Sequence, residues 1–115
     1  MLFLFTFNGQ HRNWNTKTAD DWNALNQKYQ KWMGKLEPNL KATGKIASKP
    51  TKLLTESRGE LKVTDTPCDE TKEGLMGFYF IEAKDMDQAV ELAKDSPWFI
   101  HDRMEILEVE IGRSK

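Results

Sequence analysis

Residues 63–73, with the sequence VTDTPCDETKE, form a polar turn followed by a charged loop. The segments on either side have the patterns of β-strands. Residues 52–57 and 60–65 flank Arg58-Gly59, an arrangement typical of a β-hairpin. Residues 77–83, GFYFIEA, are strongly apolar and aromatic, as in a buried strand. The stretch therefore places many ionisable groups on a loop between two strands and favours a fold built around a sheet.

The rest of the chain adds strands at both ends and two helices. Residues 2–7, LFLFTF, are apolar on both alternating faces and predict a central strand covered from both sides. Residues 41–52 contain four lysines and no acid, which predicts an exposed turn and an edge strand. Residues 104–111 alternate as a half-buried final strand.

The two helices are predicted from capping residues and from helical spacing. Thr18 can cap a helix that runs from about residue 19 to residue 36. Asp85, with Gln88 three residues later, predicts the start of a second helix. The apolar stripe of the first is expected at Trp22, Leu25, Tyr29, Trp32, Met33 and Leu36, and that of the second at Met86, Ala89, Val90 and Ala93.

This order of elements predicts an α+β fold, a ferredoxin-like βαββαβ plait with an extra hairpin strand. Two helices can cover only one face of such a sheet. Because Phe3, Phe5 and Phe7 oppose Leu2 and Leu4 on the first strand, the uncovered face would be a sizeable apolar patch. The sequence therefore predicts a homodimer in which two sheets pack face to face.

Length and composition limit the classes of function. A chain of 115 residues predicts a single domain over residues 1–115. The 17 basic and 18 acidic residues give a net charge of −1, so neither nucleic acid nor a membrane is an expected partner. The single cysteine, Cys68, excludes an intramolecular disulfide and a multi-cysteine metal site, which favours a reducing cytoplasm. Neither a metal nor a cofactor is predicted.

Several of these segments carry a family resemblance. Residues 63–73 followed by GFYF at 77–80 resemble the signature of the YCII-related (DGPF) family, in which a V-T-D-G-P-F-x-E-T-K-E motif precedes an aromatic strand. Residues 43–46, 85–89 and 96–97 resemble that family's turn into the second strand, its helix start and its helix stop. The resemblance implies a ferredoxin-like fold that dimerises through its sheets as a dimeric α+β barrel.

The sequence also departs from the family pattern. Thr66 replaces the usual glycine of the signature, and Cys68 replaces the usual phenylalanine. A His and Asp pair has been proposed as the catalytic centre of an enzyme-like branch of the family. The first predicted helix of this chain contains no histidine, so half of that pair cannot be carried over to this sequence.

The charged loop supplies the first candidate site. Asp65, Glu70 and Lys72 are candidate catalytic residues, since neighbouring carboxylates and an ammonium can share a proton or orient a polar ligand. Thr71 lies within the same motif and is a candidate ligand-binding residue. The alternative is a solvated charged loop in which Asp65 stabilises a turn.

Other candidates lie in separate segments. His101 is a candidate general base, and His11 a candidate ligand-binding residue, although both could be ordinary surface histidines. Trp14 lies in a polar loop, which favours a pocket lid or a dimer contact. Arg58 completes the candidate ligand-binding set. The aromatic stripe of the first helix could line a pocket for a planar ligand, but at helical spacing it is more typical of a core.

Three classes of function remain open at this point. The chain could bind or transform a small polar molecule in a cleft of a homodimer, at the boundary of sheet and helix, with the reaction unknown. It could instead be a non-enzymatic accessory or regulatory interaction module. It could also be an RNA-recognition-like module, because LFLF at 2–5 and GFYFI at 77–81 loosely resemble the two stacking strands of that fold. Whether the protein is an enzyme is left undecided.

Overall fold

A computed structural model describes residues 1–10, 17–47, 49–66, 74–97 and 103–112. These residues form six strands, two α-helices and a short 3-10 turn. In chain order the elements are β1 (Leu2–Gly9), α1 (Ala19–Leu36), the 3-10 turn (Glu37–Asn39), β2 (Leu40–Lys45), β3 (Thr51–Ser57), β4 (Glu60–Thr66), β5 (Gly74–Glu82), α2 (Met86–Ala93) and β6 (Arg103–Val109).

Four of the strands form one antiparallel sheet in the order β2-β5-β1-β6. The first strand lies in the interior, between β5 and β6, and β2 is an edge strand. With α1 and α2 as the two helices, this order is the ferredoxin-like plait that the sequence predicts. The predicted α+β fold is confirmed.

Local sequence explains where the helices begin. The Thr18 hydroxyl accepts a hydrogen bond from the Asp21 backbone N–H at 3.1 Å, and the Asp21 carboxylate accepts one from the Thr18 backbone N–H at 2.9 Å. This reciprocal capping box satisfies two backbone donors that the first turn of α1 would otherwise leave unpaired. The Asp85 carboxylate accepts from the Gln88 backbone N–H at the start of α2. Both predicted caps are confirmed.

The core lies between the helices and one face of the sheet. Phe3, Phe5 and Phe7 of β1 are buried on this face. The Trp32 indole Nε1 donates to the Leu92 carbonyl at 2.7 Å and so links the two helices beneath the surface. The other buried members of this core are Leu36, Tyr79, Ile81, Ala83, Ala89, Leu92 and Ala93.

The buried stripe of α2 differs from the prediction. Met86 is 42% exposed, Val90 is half-buried, and Leu92 is buried instead. The stripe follows residues 89, 92 and 93, so Met86, the first residue of the helix, lies outside it. Helical spacing alone allowed both sets, since each recurs at intervals of three and four residues.

The opposite face of the sheet has no covering helix among the described elements. Leu2 and Leu4 of β1 point to this side. Phe78 and Phe80 of β5 point to the same side, since they pair with Thr6 and Leu4 of β1. These side chains are half-buried, and Leu107 and Leu75 beside them are exposed. The open sheet face, defined by Leu2, Leu4, Phe78, Phe80 and Leu107, is therefore apolar, as the sequence predicts.

The strands β3 and β4 form a separate two-stranded hairpin rather than an extra strand of the plait. Arg58 has a φ of 53° and Gly59 a φ of 81°, between the paired residues Ser57 and Glu60. Positive φ at both central residues defines a type I′ turn, whose twist suits a two-residue hairpin. Every residue of both strands is exposed, so the described part of the chain covers neither side of the hairpin.

Among the described residues, no helix combines the length and apolar character needed to cross a membrane.

Candidate ligand cavity between the first helix and the sheet

A cavity of about 400 Å³ lies between α1 and the strands β2 and β5, near the end of β1. Its size falls in the range of small-molecule pockets, and its wall is mainly apolar. The lining residues come from the inner side of α1 and from the helix-facing side of the sheet: Phe7, Trp22, Leu25, Asn26, Tyr29, Thr43, Gly44, Lys45, Met76, Gly77 and Tyr79.

Aromatic rings fix the inner wall of this cavity. The Tyr79 ring stacks on Trp32 with a centroid distance of 5.3 Å and an interplanar angle of 18°. Phe7 packs edge-on against Tyr79 at 5.0 Å, and Tyr29 packs edge-on against Trp32 at 6.3 Å. Because each ring is held by another ring, the wall is preorganised, and such rings offer planar surfaces for a planar ligand.

Gly77 helps to explain why this part of the sheet leaves a space. It pairs with Phe7 on one side and Lys45 on the other, so a side chain at position 77 would point toward α1. A Cβ atom there would lie 3.0 Å from the Gly44 carbonyl oxygen and 3.7 Å from the Phe7 ring. The glycine thus permits close approach of β2 and leaves the cavity floor without a side chain.

The Tyr79 hydroxyl is the unusual polar group of the site. Tyr79 is 3% exposed, and its hydroxyl is buried without a hydrogen-bond partner among the described residues. Leaving a buried hydroxyl unpaired costs about 1–3 kcal/mol, so such groups in native structures call for a reason. Tyr79 also lines the cavity, but its hydroxyl oxygen has no accessible surface there, so a polar ligand atom reaches it only if the ring or its neighbours move.

The second tyrosine of the wall is protonated at neutral pH. Burial raises the pKa of the Tyr29 phenol above its ordinary value, because the phenolate would lose solvation in this half-buried position. The Tyr29 hydroxyl is therefore a neutral group that can donate or accept a hydrogen bond. The cavity wall combines flat apolar surfaces with neutral hydroxyls.

A second depression, lined by Lys28, Lys31, Lys35, Asp95 and parts of Trp32, Ser96 and Pro97, has a different character. The Lys35 ammonium forms an ion pair with Asp95, and this hydrogen bond holds the pKa of that carboxyl below its ordinary value. Exposed lysine side chains and a compensating acid are typical of a solvated helix surface. This depression lacks the enclosed aromatic wall that favours the first cavity.

The structure describes two of the eight site residues predicted from sequence, and neither lines the cavity. Asp65 lies on β4, exposed, and its carboxylate pairs with the Lys52 ammonium of β3 at 2.5 Å. Arg58 occupies the tip of the hairpin. The structure does not bring these two together with the cavity wall. The remaining six candidates lie outside the described residues: Glu70, Thr71, Lys72, His101, His11 and Trp14.

Within the described ranges, no group of three or more His, Cys, Asp or Glu side chains is placed to hold a metal ion.

Sequence reasoning missed the importance of Tyr79 and Gly77. The sequence predicts an apolar, aromatic strand at GFYF 77–80, and the same residues carry the family resemblance and the loose likeness to an RNA-stacking strand, but none of these interpretations shows that one hydroxyl is left unpaired. A usable signal was present, since a tyrosine on the helix-facing side of a central strand must find a hydrogen-bond partner within the core. The alternative in which aromatic residues of α1 line a pocket agrees with Tyr29 at the cavity wall.

Comparison with known proteins identifies a similar sequence. An uncharacterized protein, R00369, of Rhizobium meliloti (strain 1021) is 39% identical over 75 residues, which is 65% of this chain. The matched region spans 57% of the length of that protein. The similarity therefore concerns a part of each chain and brings no known activity with it.

Among solved structures, the chain is similar to 5-chloro-2-hydroxyhydroquinone dehydrochlorinase (TftG) from Burkholderia phenoliruptrix AC1100, in complex with 2,5-dihydroxybenzoquinone. The TM-score is 0.55 and the identity is 16%, over 97% of this chain and 96% of the other. At this identity the likeness shows the fold alone. The family model of the YCII-related domain matches residues 8–110, and the chain belongs to that family.

Proposed function

We propose that this protein binds a small planar molecule carrying hydroxyl or carbonyl groups, in the cavity between α1 and the sheet, and that it does so as a homodimer. The observation that carries the proposal is the buried hydroxyl of Tyr79, which has no partner among the described residues and belongs to an aromatic cavity wall. A ligand ring would pack against the aromatic wall, and a shift of the Tyr79 side chain toward the cavity would let one of the ligand's oxygen atoms bond to this hydroxyl.

The fold neighbour supports this class of ligand. TftG is recorded in complex with 2,5-dihydroxybenzoquinone, a flat ring with four oxygen substituents. The cavity of this chain offers matching features, since Tyr29 supplies a neutral hydroxyl and both Tyr29 and Tyr79 contribute aromatic rings to the wall. Among the described residues of the cavity wall, Lys45 is the one basic side chain.

Binding is better supported than a particular reaction. The cavity wall contains no carboxylate and no imidazole among the described residues. General acid–base chemistry on a bound ring would therefore need a further side chain, and Glu70, Lys72, His11 and His101 are the sequence's candidates for that role. We accordingly propose ligand binding as the primary activity and a transformation of the ligand only if one of these groups reaches it.

The homodimer is supported by the open sheet face. Leu2, Leu4, Phe78 and Phe80 present a continuous apolar surface with no cover from this chain's described elements. Phe78 and Phe80 are already held edge-to-face at 5.9 Å, so little side-chain freedom would be lost when a second sheet packs against them. This surface would be buried at the centre of the dimer.

The test is calorimetric titration of the protein with 2,5-dihydroxybenzoquinone and hydroquinones, with cyclohexanediol as a non-planar control. Mass spectrometry would check that no covalent adduct contributes. We expect saturable binding of the planar compounds, no binding of the cyclohexanediol, and a loss of about tenfold in affinity in Tyr79→Phe, the value of one hydrogen bond. Equal affinity of Tyr79→Phe and the natural protein, or no binding of any planar compound, would overturn the proposal.

A further inference from the structure

The cavity between α1 and the sheet changes in character from its interior to its opening. The interior is apolar and closed to solvent, since Leu25, Met76 and Tyr79 are exposed by only 4%, 3% and 3%. Asn26 and Lys45 also line the cavity, but both are exposed, so they lie where it opens to solvent. The cavity therefore has an apolar interior and a polar rim, and a ligand that fills it needs the same division.

The register of the sheet places Lys45 at this rim. Lys45 pairs with Gly77 across β2 and β5, and Gly77 pairs with Phe7 across β5 and β1. Residues that pair directly across antiparallel strands point to the same side, so Lys45 shares the helix-facing side with the buried Phe7. Gly77, between them, brings no side chain. The aliphatic stem of Lys45 can therefore lie along the cavity floor while its ammonium stays at the opening.

The described rim carries charge of one sign. Lys45 is positive, and none of the described lining residues is acidic. The two acids in the first turn of α1, Asp20 and Asp21, do not line the cavity, and the Asp21 carboxylate accepts from the Thr18 backbone N–H. An ammonium at the edge of an apolar cavity attracts an anion more strongly than one surrounded by water, because the effective dielectric constant is lower there. The described wall thus favours a negatively charged group at the rim.

We propose that the ligand is a ring compound with an ionised oxygen group, as in an aromatic carboxylate, and that Lys45 selects it by pairing with that group at the rim. The inference deepens the proposed function and rests on it, because the ring has to occupy the cavity for the pair to form. Lys45 already takes part in an interaction within the chain, so the ligand anion has to share or replace that contact. Lys45 is thus a specificity-determining residue.

The two ends of the cavity also set the orientation of such a ligand. A carboxylate that entered the apolar interior without a partner would lose its hydration at a large cost in free energy, whereas the ring gains from leaving water. The ring therefore enters first, toward Met76 and Tyr79, and the carboxylate stays at the rim beside Lys45. A neutral ring of the same shape would fit the interior equally well but would gain nothing from the ammonium. Charge, rather than shape, is what Lys45 discriminates.

The test is calorimetric titration with 4-hydroxybenzoate and 4-hydroxybenzamide, two rings of nearly the same shape of which only the first is charged at neutral pH. We expect the natural protein to bind the carboxylate about tenfold more tightly than the amide, the value of one charge-assisted hydrogen bond. Lys45→Met keeps a long, unbranched side chain without the charge. It should abolish this preference and leave the affinity for the amide within about twofold. Lys45→Arg keeps the charge and should retain most of the preference.

Two further lysines serve as controls. Lys41 lies on the same strand, is exposed and does not line the cavity, and Lys31 belongs to the second depression. Lys41→Met and Lys31→Met should both retain the preference for the carboxylate. Loss of the preference in Lys31→Met would place the anion at the second depression and overturn the proposal.

Two other outcomes would also overturn selection by Lys45. Equal affinities of the natural protein for the two probes, or a preference that survives Lys45→Met, would do so while leaving the binding of a neutral ring in the cavity intact. Binding of neither probe would overturn it as well, and the separate titration with 2,5-dihydroxybenzoquinone and hydroquinones would then decide whether the cavity binds planar rings at all.

Discussion

The two faces of the four-stranded sheet are made by the same strands, and both are apolar, but among the described elements only one face is covered by helices. On the helix-covered face, Phe3, Phe5 and Ile81 are fully buried. On the open sheet face, Leu4 and Phe80 are paired neighbours and remain half-buried. The alternating strand pattern therefore encodes two interfaces. One is covered by the helices and stabilises the fold, and the other leaves apolar side chains uncovered by the described part of the chain.

The largest effect is expected on the helix-covered face. Phe5→Ala would remove a ring from the centre of the core and leave a cavity that the surrounding side chains cannot fill. We expect a loss of about 3–5 kcal/mol in the free energy of unfolding. Urea denaturation at a fixed protein concentration would measure it, since the stability of a dimer depends on concentration. A loss below about 1 kcal/mol would show that the core is not organised around β1.

A charge on the open sheet face should act on association rather than on the fold. If the open sheet face forms the proposed homodimer, Phe80→Glu raises its dissociation constant by about 100-fold or more, because a carboxylate would be buried at the centre of the interface. Far-ultraviolet circular dichroism should stay close to that of the natural protein. Lys84→Glu is the control, an exposed charge change outside the sheet. Unfolding of Phe80→Glu at concentrations where the control is folded would mean that the open sheet face also contributes to the stability of the fold.

The distinction between these faces was partly visible in the sequence. Three features are local: the alternation of LFLFTF, the caps at Thr18 and Asp85, and the Arg58-Gly59 turn. Each depends on residues close together in the chain, so the sequence alone predicts it. They were enough to predict the plait and its uncovered face. They could not show which of the two apolar faces of β1 the helices cover, because that depends on contacts between residues far apart in the chain.

The cavity lay beyond sequence reasoning for a related reason. It exists where Gly77 brings no side chain and where α1 passes over β2 and β5, so it depends on the absence of atoms. Charged loops are conspicuous in a sequence, and they drew attention to Asp65 and Arg58, which the structure places on the exposed hairpin. An aromatic strand such as GFYF looks like core, and an unpaired hydroxyl within it becomes visible only when its neighbours are in place.

Tyr79→Phe also changes the helix-covered face, but it is expected to raise the free energy of unfolding rather than to lower it as Phe5→Ala does. Since the Tyr79 hydroxyl is buried without a partner among the described residues, its removal should raise the free energy of unfolding of the ligand-free protein by roughly 1 kcal/mol. Tyr29→Phe is the matched control and should change it little, because that side chain is only half-buried. Thermal unfolding of both variants would decide. A clear loss of stability in Tyr79→Phe would mean that the hydroxyl has a partner after all.

The smallest effect is expected at the hairpin, where neither side is buried in the single chain. Asp65→Asn removes the ion pair with Lys52, but both side chains are mostly exposed to solvent, and such pairs contribute about 0–1 kcal/mol. We expect the melting temperature to change by no more than a few degrees, with ligand affinity unchanged, because Asp65 does not line the cavity. Lys52→Met is the matched variant from the other strand and should behave in the same way. If either substitution abolished ligand binding while the fold persisted, the charged stretch that begins at Asp65 would have to reach the site. The separation between a helix-covered ligand cavity and an exposed hairpin would then fail.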